Sequence, residues 1–95
     1  MIETKEISSK KLASVIARIL ADSKALDIVI LNVANVCVLS DYFVIASAQS
    51  STQVKGLTAT VREKIKEHFG RIPAGDENDV KNRWNLLDYG DVVVH

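Results

Sequence analysis

Ile28, Val29, Ile30 and Leu31 follow one another without a polar break. A strand with one wet face alternates apolar and polar side chains, so four consecutive branched aliphatics mark a strand covered on both faces. The longest uncharged stretch, residues 28–40, is too short to cross a bilayer. The run therefore predicts a central strand, and the rest of the chain has to supply a layer on each side of it. Asn32, Asn35, Ser40 and Asp41 interrupt the apolar pattern before Tyr42, Phe43, Val44, Ile45 and Ala46. That aromatic and β-branched composition predicts a second strand paired with the first.

Two helices flank these strands. Leu12, Val15, Ile16, Ile19 and Leu20 recur at helical spacing, with Lys10, Lys11, Arg18 and Asp22 largely between them, and Ser8 or Ser9 is placed to cap the first turn. Val54, Leu57, Val61, Ile65 and Phe69 repeat every three or four residues behind the candidate caps Ser50, Ser51 and Thr52. Gly70 stands where a helix can end in the left-handed region, and Pro73 follows; this helix is predicted to stop near Phe69.

Residues 74–83 are polar and rich in turn formers, among them Gly75, Asp76, Asn78, Asp79 and Asn82, which predicts a mobile loop. Trp84 to Leu87 and Val92 to Val94 then flank Asp88, Tyr89, Gly90 and Asp91, with Gly90 free to take the positive φ of a tight reversal. The expectation is a β-hairpin with an acidic, aromatic tip. The order helix, strand, strand, helix, strand, strand gives an α/β (α+β) fold, a mixed sheet flanked by helices.

Ninety-five residues, 47% hydrophobic and 25% charged, suit one ordinary globular domain, residues 1–95. Twelve basic residues balance twelve acidic ones, so bulk charge gives no support to nucleic-acid or membrane binding. Residues 1–6 lack the regions of a secretory signal, and the expected location is the cytoplasm. The one cysteine, Cys37, lies between Val36 and Val38 and is expected to be a buried small hydrophobe.

Chemistry finds little purchase. His68, His95 and Cys37 are too scattered to predict a metal site, and no nucleophile elbow or phosphate-cradling glycine loop is present. Asp41, Asp88 and Asp91 are the carboxylates beside strands that could hold Mg²⁺, but Asp88 and Asp91 flank a turn, where aspartate commonly bonds local amides. Trp84, Tyr89 and Tyr42 are candidate anchors for a partner, since such rings bury large area at small entropic cost. For Trp84, filling the core edge is an equal alternative; Tyr89, at a hairpin tip, is expected to be exposed.

Taken together, Ser40, Asp41, Tyr42, Phe43, Val44, Ile45 and Ala46, then Ser50, Ser51 and Gln53, then Trp84 with the unbroken run from Leu87 to His95 resemble the ribosomal silencing factor, or Iojap-like, family. The resemblance extends from the first helix to the last residue. It implies a nucleotidyltransferase-like fold without transferase activity, with no cofactor and no metal. It also implies binding to a basic protein of the large ribosomal subunit (uL14), on the face that meets the small subunit, so that subunit joining is blocked and translation repressed. The partner-facing residues it implies are Trp84, Asp88, Tyr89 and Asp91, with Asp41 and Tyr42 as a second patch, and it makes a homodimer of the free protein an expectation. The alternative is a metal-dependent nucleotidyltransferase using Asp88 and Asp91. The chain departs from the family at Glu77-Asn78, where Glu-Gly is usual, and at Asn82, often Gly; the family's further strand and tail are expected to be absent after His95.

Overall fold

A computed structural model describes residues 7–81 and 83–95. Asn82 and residues 1–6, read above as lacking the regions of a secretory signal, lie outside the described residues. The elements are α1 (Ser9–Asp22), β1 (Leu26–Asn32), β2 (Tyr42–Ser47), α2 (Ser51–Phe69), β3 (Gly75–Asn78), β4 (Asn85–Asp88) and β5 (Val92–Val94). Both helices begin as their sequences dictate. The Ser8 hydroxyl accepts from the Lys11 amide at 3.1 Å, and the Ser50 hydroxyl accepts from the Gln53 amide at 3.1 Å, each partnering an amide of the first turn. Gly70 closes α2 at φ 66°, its amide donating to the Lys66 carbonyl.

The strands form one sheet in the order β1-β2-β5-β4-β3. β1 and β2 are antiparallel, β2 and β5 parallel, and β5, β4 and β3 antiparallel again, so the sheet is mixed. Its register sets two kinds of row. Ile30, Val44, Val94, Leu87 and Asp76 share one face. There Val44 and Leu87 meet Leu12, Ala13, Ile16 and Leu20 of α1 and Val61 and Ile65 of α2 in the buried core, and Asp76 takes an ion pair from Arg62 of α2. Full burial of each such Leu, Ile or Val contributes about 1.5–3 kcal/mol, and both helices lie on this side.

The neighbouring row runs Leu31, Phe43, Val93, Asp88 and Gly75, one residue from each strand. Side chains alternate across a strand, so this row points away from the helices.

Two expectations are corrected here. β1 is the edge of the sheet, with Leu26, Val29, Ile30 and Leu31 all exposed by more than a third, where a central, doubly covered strand was predicted. The physical reason is order of pairing: β2 spends its second edge on β5 in a parallel pair, which leaves nothing outside β1. The edge is disrupted by an irregularity between Leu26 and Val29, where Asp27 has φ 51°, a bulge and a charge of the kind that discourages further pairing. The second correction is β3, which lies within the predicted mobile loop. Gly75, Asp76, Glu77 and Asn78 carry no apolar signal, yet they pair with Asp88, Leu87, Leu86 and Asn85 through backbone groups that need no particular side chain. Gly75 has a packing reason as well, since a Cβ there would stand 3.3 Å from the Asp88 Cβ.

Candidate docking site

The β4–β5 hairpin forms as predicted. The Tyr89 amide donates to the Val92 carbonyl at 2.9 Å, Gly90 has φ 89°, and Asp88 Oδ1 accepts from the Gly90 amide at 2.7 Å, the local role expected of a turn aspartate. Ser40, buried at the approach to β2, donates its hydroxyl to the Gly90 carbonyl at 2.8 Å. The Asp41 and Tyr42 amides both donate to the Asp91 carbonyl. One end of the sheet thus gathers Asp41, Tyr42, Asp88, Tyr89 and Asp91, five of the six residues singled out from the sequence. Trp84 lies at the other end of β4.

Their side chains divide between the faces. Tyr89 is only 5% exposed and belongs to the core, correcting the expectation of an exposed ring at the tip. The Arg71 guanidinium carbon lies 5.8 Å from its ring centroid, an approach consistent with a cation–π contact. Burial pushes the Tyr89 phenol up to about 12, against the opposing pull of Arg62 and Arg71, and its hydroxyl is buried without a hydrogen-bond partner among the described residues. Tyr42 also packs against the core. Asp91 is held by Arg71, whose Nη2 lies 2.9 Å from Asp91 Oδ1 and also donates to the Tyr89 carbonyl at 2.7 Å.

Trp84 and Asp88 are the candidates that remain available. Trp84 is 45% exposed, with its ring edge-on to His95 at 6.2 Å between centroids. Asp88 stands on the outward row beside Val93. An open cleft of about 310 Å³ lies behind Trp84 and His95, floored by Val54, Leu57 and Val61 of α2 and walled by Ala46 and Ser47 of β2.

Arg71 was not singled out from the sequence. It follows Gly70 and precedes Pro73, and nothing in that context signals that it reaches back to a hairpin 18 residues on. Also missed were Val36, Val38 and Leu39, which project almost fully exposed from the loop between β1 and β2. Cys37, expected to be buried, is only partly buried in the same loop. His68 is exposed on α2.

Use of Asp88 and Asp91 as a metal pair meets an obstacle, because the Arg71 guanidinium already occupies the Asp91 carboxylate and a cation would have to displace it. Among the described residues no group of three or more His, Cys, Asp or Glu side chains is placed to hold a metal ion. No helix among them is long and apolar enough to cross a membrane.

Fold and site define a small α+β protein with a two-helix layer on one face of a five-stranded mixed sheet. Residues 6–95 match the model of the family described as "Ribosomal silencing factor during starvation", and the chain belongs to that family. It is 29% identical over 89 residues to the ribosomal silencing factor of Bacillus subtilis, covering 94% of this chain and 75% of that one. To the ribosomal silencing factor of Chromobacterium violaceum it is 38% identical over 76 residues, 80% of this chain and 62% of that one. The chloroplastic protein Iojap of Arabidopsis thaliana is 35% identical over 80 residues, 84% of this chain but 33% of the relative, so the chain spans about a third of that protein's length. A crystal structure of a protein from Chromobacterium violaceum superposes with a TM-score of 0.87 at 32% identity, covering 94% of this chain and 73% of that one. One from Bacillus halodurans gives 0.80 at 30% identity, with 90% and 79% covered.

Proposed function

We propose that this chain is a ribosome-docking repressor of translation. It binds a basic protein of the large ribosomal subunit, uL14, on the surface that meets the small subunit, and its bulk there prevents the two subunits from joining. The observation that carries this reading is the pair of available side chains at the two ends of β4, Trp84 just before the strand and Asp88 at its end: an exposed ring that can bury large area and a carboxylate that can orient a basic surface. Membership of the silencing-factor family supports the same reading. Mechanism by occupancy needs no turnover, no cofactor and no metal.

Within this reading Trp84 and Asp88 make direct contact, and Asp41 lies at the same end of the sheet as Asp88, at the approach to β2. Tyr42, Tyr89 and Asp91 act from behind: Tyr89 and Asp91, tied to Arg71, fix the shape of the tip. The protein works in the cytoplasm, and a homodimer of the free chain would be a storage form that gives way to the ribosome-bound one. The test is co-sedimentation of purified chain with isolated large subunits. Association with large subunits, absent from joined ribosomes and weakened by Trp84→Ala, is the expected result; no association at low salt overturns the reading.

A further inference from the structure

The helix-covered face of the sheet is apolar and buried from Val44 of β2 to Leu87 of β4, and then turns polar. Leu87 pairs with Asp76 and, two residues along each strand, Asn85 pairs with Asn78. Side chains two apart share a face, so Asp76, Asn78 and Asn85 stand on the side of Leu87, toward the helices. Lys55, Thr58 and Arg62 of α2 recur at the spacing that places side chains on one side of a helix. These six residues line a cavity of about 300 Å³ between α2 and the β3–β4 pair. A helix laid on a sheet ordinarily closes such a space with apolar side chains; here all six are polar or charged.

The hydrogen bonding of this cavity is incomplete. Asn85 Nδ2 donates to Thr58 Oγ1 at 2.7 Å, and the Thr58 hydroxyl donates to the Val54 carbonyl at 2.8 Å. That chain fixes which atom of the Asn85 amide is the oxygen, and it leaves Oδ1 shielded from solvent with no partner among the described residues. A buried acceptor without a donor is costly. Asparagine χ2 is a soft torsion, so a modest turn of the amide presents this oxygen to a donor in the cavity. Arg62 engages Asp76 through Nη1 to Oδ2 alone, so among the described residues other guanidinium N–H groups and the second carboxylate oxygen stay available. Lys55 makes no ion pair among the described residues.

Charge selects the ligand. Two cations, Lys55 and Arg62, face one carboxylate, Asp76, an excess of a single positive charge. A phosphate monoester is close to doubly charged at neutral pH and would press on Asp76, while a divalent metal ion would meet two cations and one carboxylate. A singly charged anion that also carries a donor satisfies every group. We propose that this cavity binds a small carboxylate with an amine or hydroxyl beside it, the chemistry of an α-amino or α-hydroxy acid. The ligand carboxylate accepts from Lys55 and from the free guanidinium N–H groups of Arg62. Its amine or hydroxyl donates to Asp76 Oδ1 or to Asn85 Oδ1. The site lies on the helix side of the sheet and does not depend on the docking reading.

The experiment titrates the chain with L-serine, L-lactate and inorganic phosphate while the side-chain N–H signals of Asn85 and Arg62 are followed by NMR. Lys55→Gln and Asn85→Leu are titrated alongside, each checked by circular dichroism. Lys55 is exposed on α2, so Lys55→Gln keeps the fold and decides the matter if Asn85→Leu does not fold. Expected are saturable shifts of both signals with L-serine or L-lactate in the millimolar range. Affinity should fall by about fivefold in Lys55→Gln, and at least as far in Asn85→Leu, read at Arg62. Absence of a saturable shift with both acids overturns the proposal, and so does wild-type affinity in Lys55→Gln. Phosphate bound more tightly than both acids would reveal a plain anion site and overturn the ligand class.

Discussion

Arg71 and Asp91 are joined across 20 residues of sequence by a guanidinium–carboxylate pair, Nη2 to Oδ1 at 2.9 Å, and the same nitrogen donates to the Tyr89 carbonyl at 2.7 Å. Both side chains are about three-quarters buried. The hairpin tip is thereby tied to the segment that leaves α2, through Arg71 on one side and Tyr89 and Asp91 on the other. Hydrogen bonds to charged groups contribute about 1.5–3 kcal/mol where solvent is largely excluded and less where it is not. Arg71→Ala is expected to lower unfolding free energy by about 1–2 kcal/mol, measured by urea denaturation, and to weaken subunit binding through loss of tip geometry. An unchanged denaturation midpoint would show that the clamp does not hold the tip.

Tyr89 separates the shape of a side chain from its polar group. Its ring fills core space while its hydroxyl has no partner among the described residues. Tyr89→Ala is expected to cost about 3 kcal/mol of stability through the cavity it leaves. Tyr89→Phe removes an unsatisfied polar atom and is expected to be neutral or stabilising, within about 1 kcal/mol. Thermal unfolding of the two variants decides it; a Phe variant as damaged as the Ala variant would mean that the hydroxyl is bonded.

The raised phenol has a consequence for pH. The folded value of about 12 lies above the ordinary 10, so the folded protein holds this proton more tightly than the unfolded chain. The associated stability is complete below pH 10 and is lost as pH rises toward 12. Ultraviolet difference titration should show a tyrosine step well above pH 10 that is missing in Tyr89→Phe. A titration unchanged by Tyr89→Phe above pH 10 would contradict the burial.

Much of this was legible in the sequence where a local rule fixes a backbone. Ser8, Ser50 and Gly70 mark helix ends because orphan amides and a left-handed terminus demand those residue types, and Asp88 with Gly90 marks the reversal. What stayed hidden depends on pairing order. β1 reads as doubly covered because its composition is that of a buried strand, and only the β2–β5 pairing shows that it lies at an edge with one face bare. β3 carries no hydrophobic pattern and is defined by its partner. Tyr89 at a turn suggested exposure, yet its ring turns into the core under Arg71, a residue whose importance no local motif announces. Within the candidate site, the identities of Trp84 and Asp88 were readable, but not the hold of Arg71 on Asp91.

Ser40 is a further tie between the hairpin tip and the rest of the sheet, donating to the Gly90 carbonyl from a site 7% exposed. Ser40→Ala removes that donor and is expected to cost about 1 kcal/mol. Hydrogen exchange of the Asp91 to Val93 amides should quicken in the variant, whereas uniform protection would show that the tip is held without it.

Trp84 is the only tryptophan and is 45% exposed, so its fluorescence reports directly on docking. Binding to the large subunit is expected to shift its emission to shorter wavelength as the ring leaves water. Trp84→Ala should weaken binding by about 2 kcal/mol, in the range of an interfacial anchor, with little change in unfolding temperature. Emission unmoved at saturating subunit would place Trp84 outside the contact.

The most direct measurement is a subunit-joining assay, in which purified large and small subunits associate under light scattering with and without added chain. Occupancy of the joining face predicts that the chain, added to large subunits first, lowers the extent of joining in proportion to the fraction bound, and that Trp84→Ala relieves the block. Full joining with large subunits saturated by the wild-type chain would contradict the account.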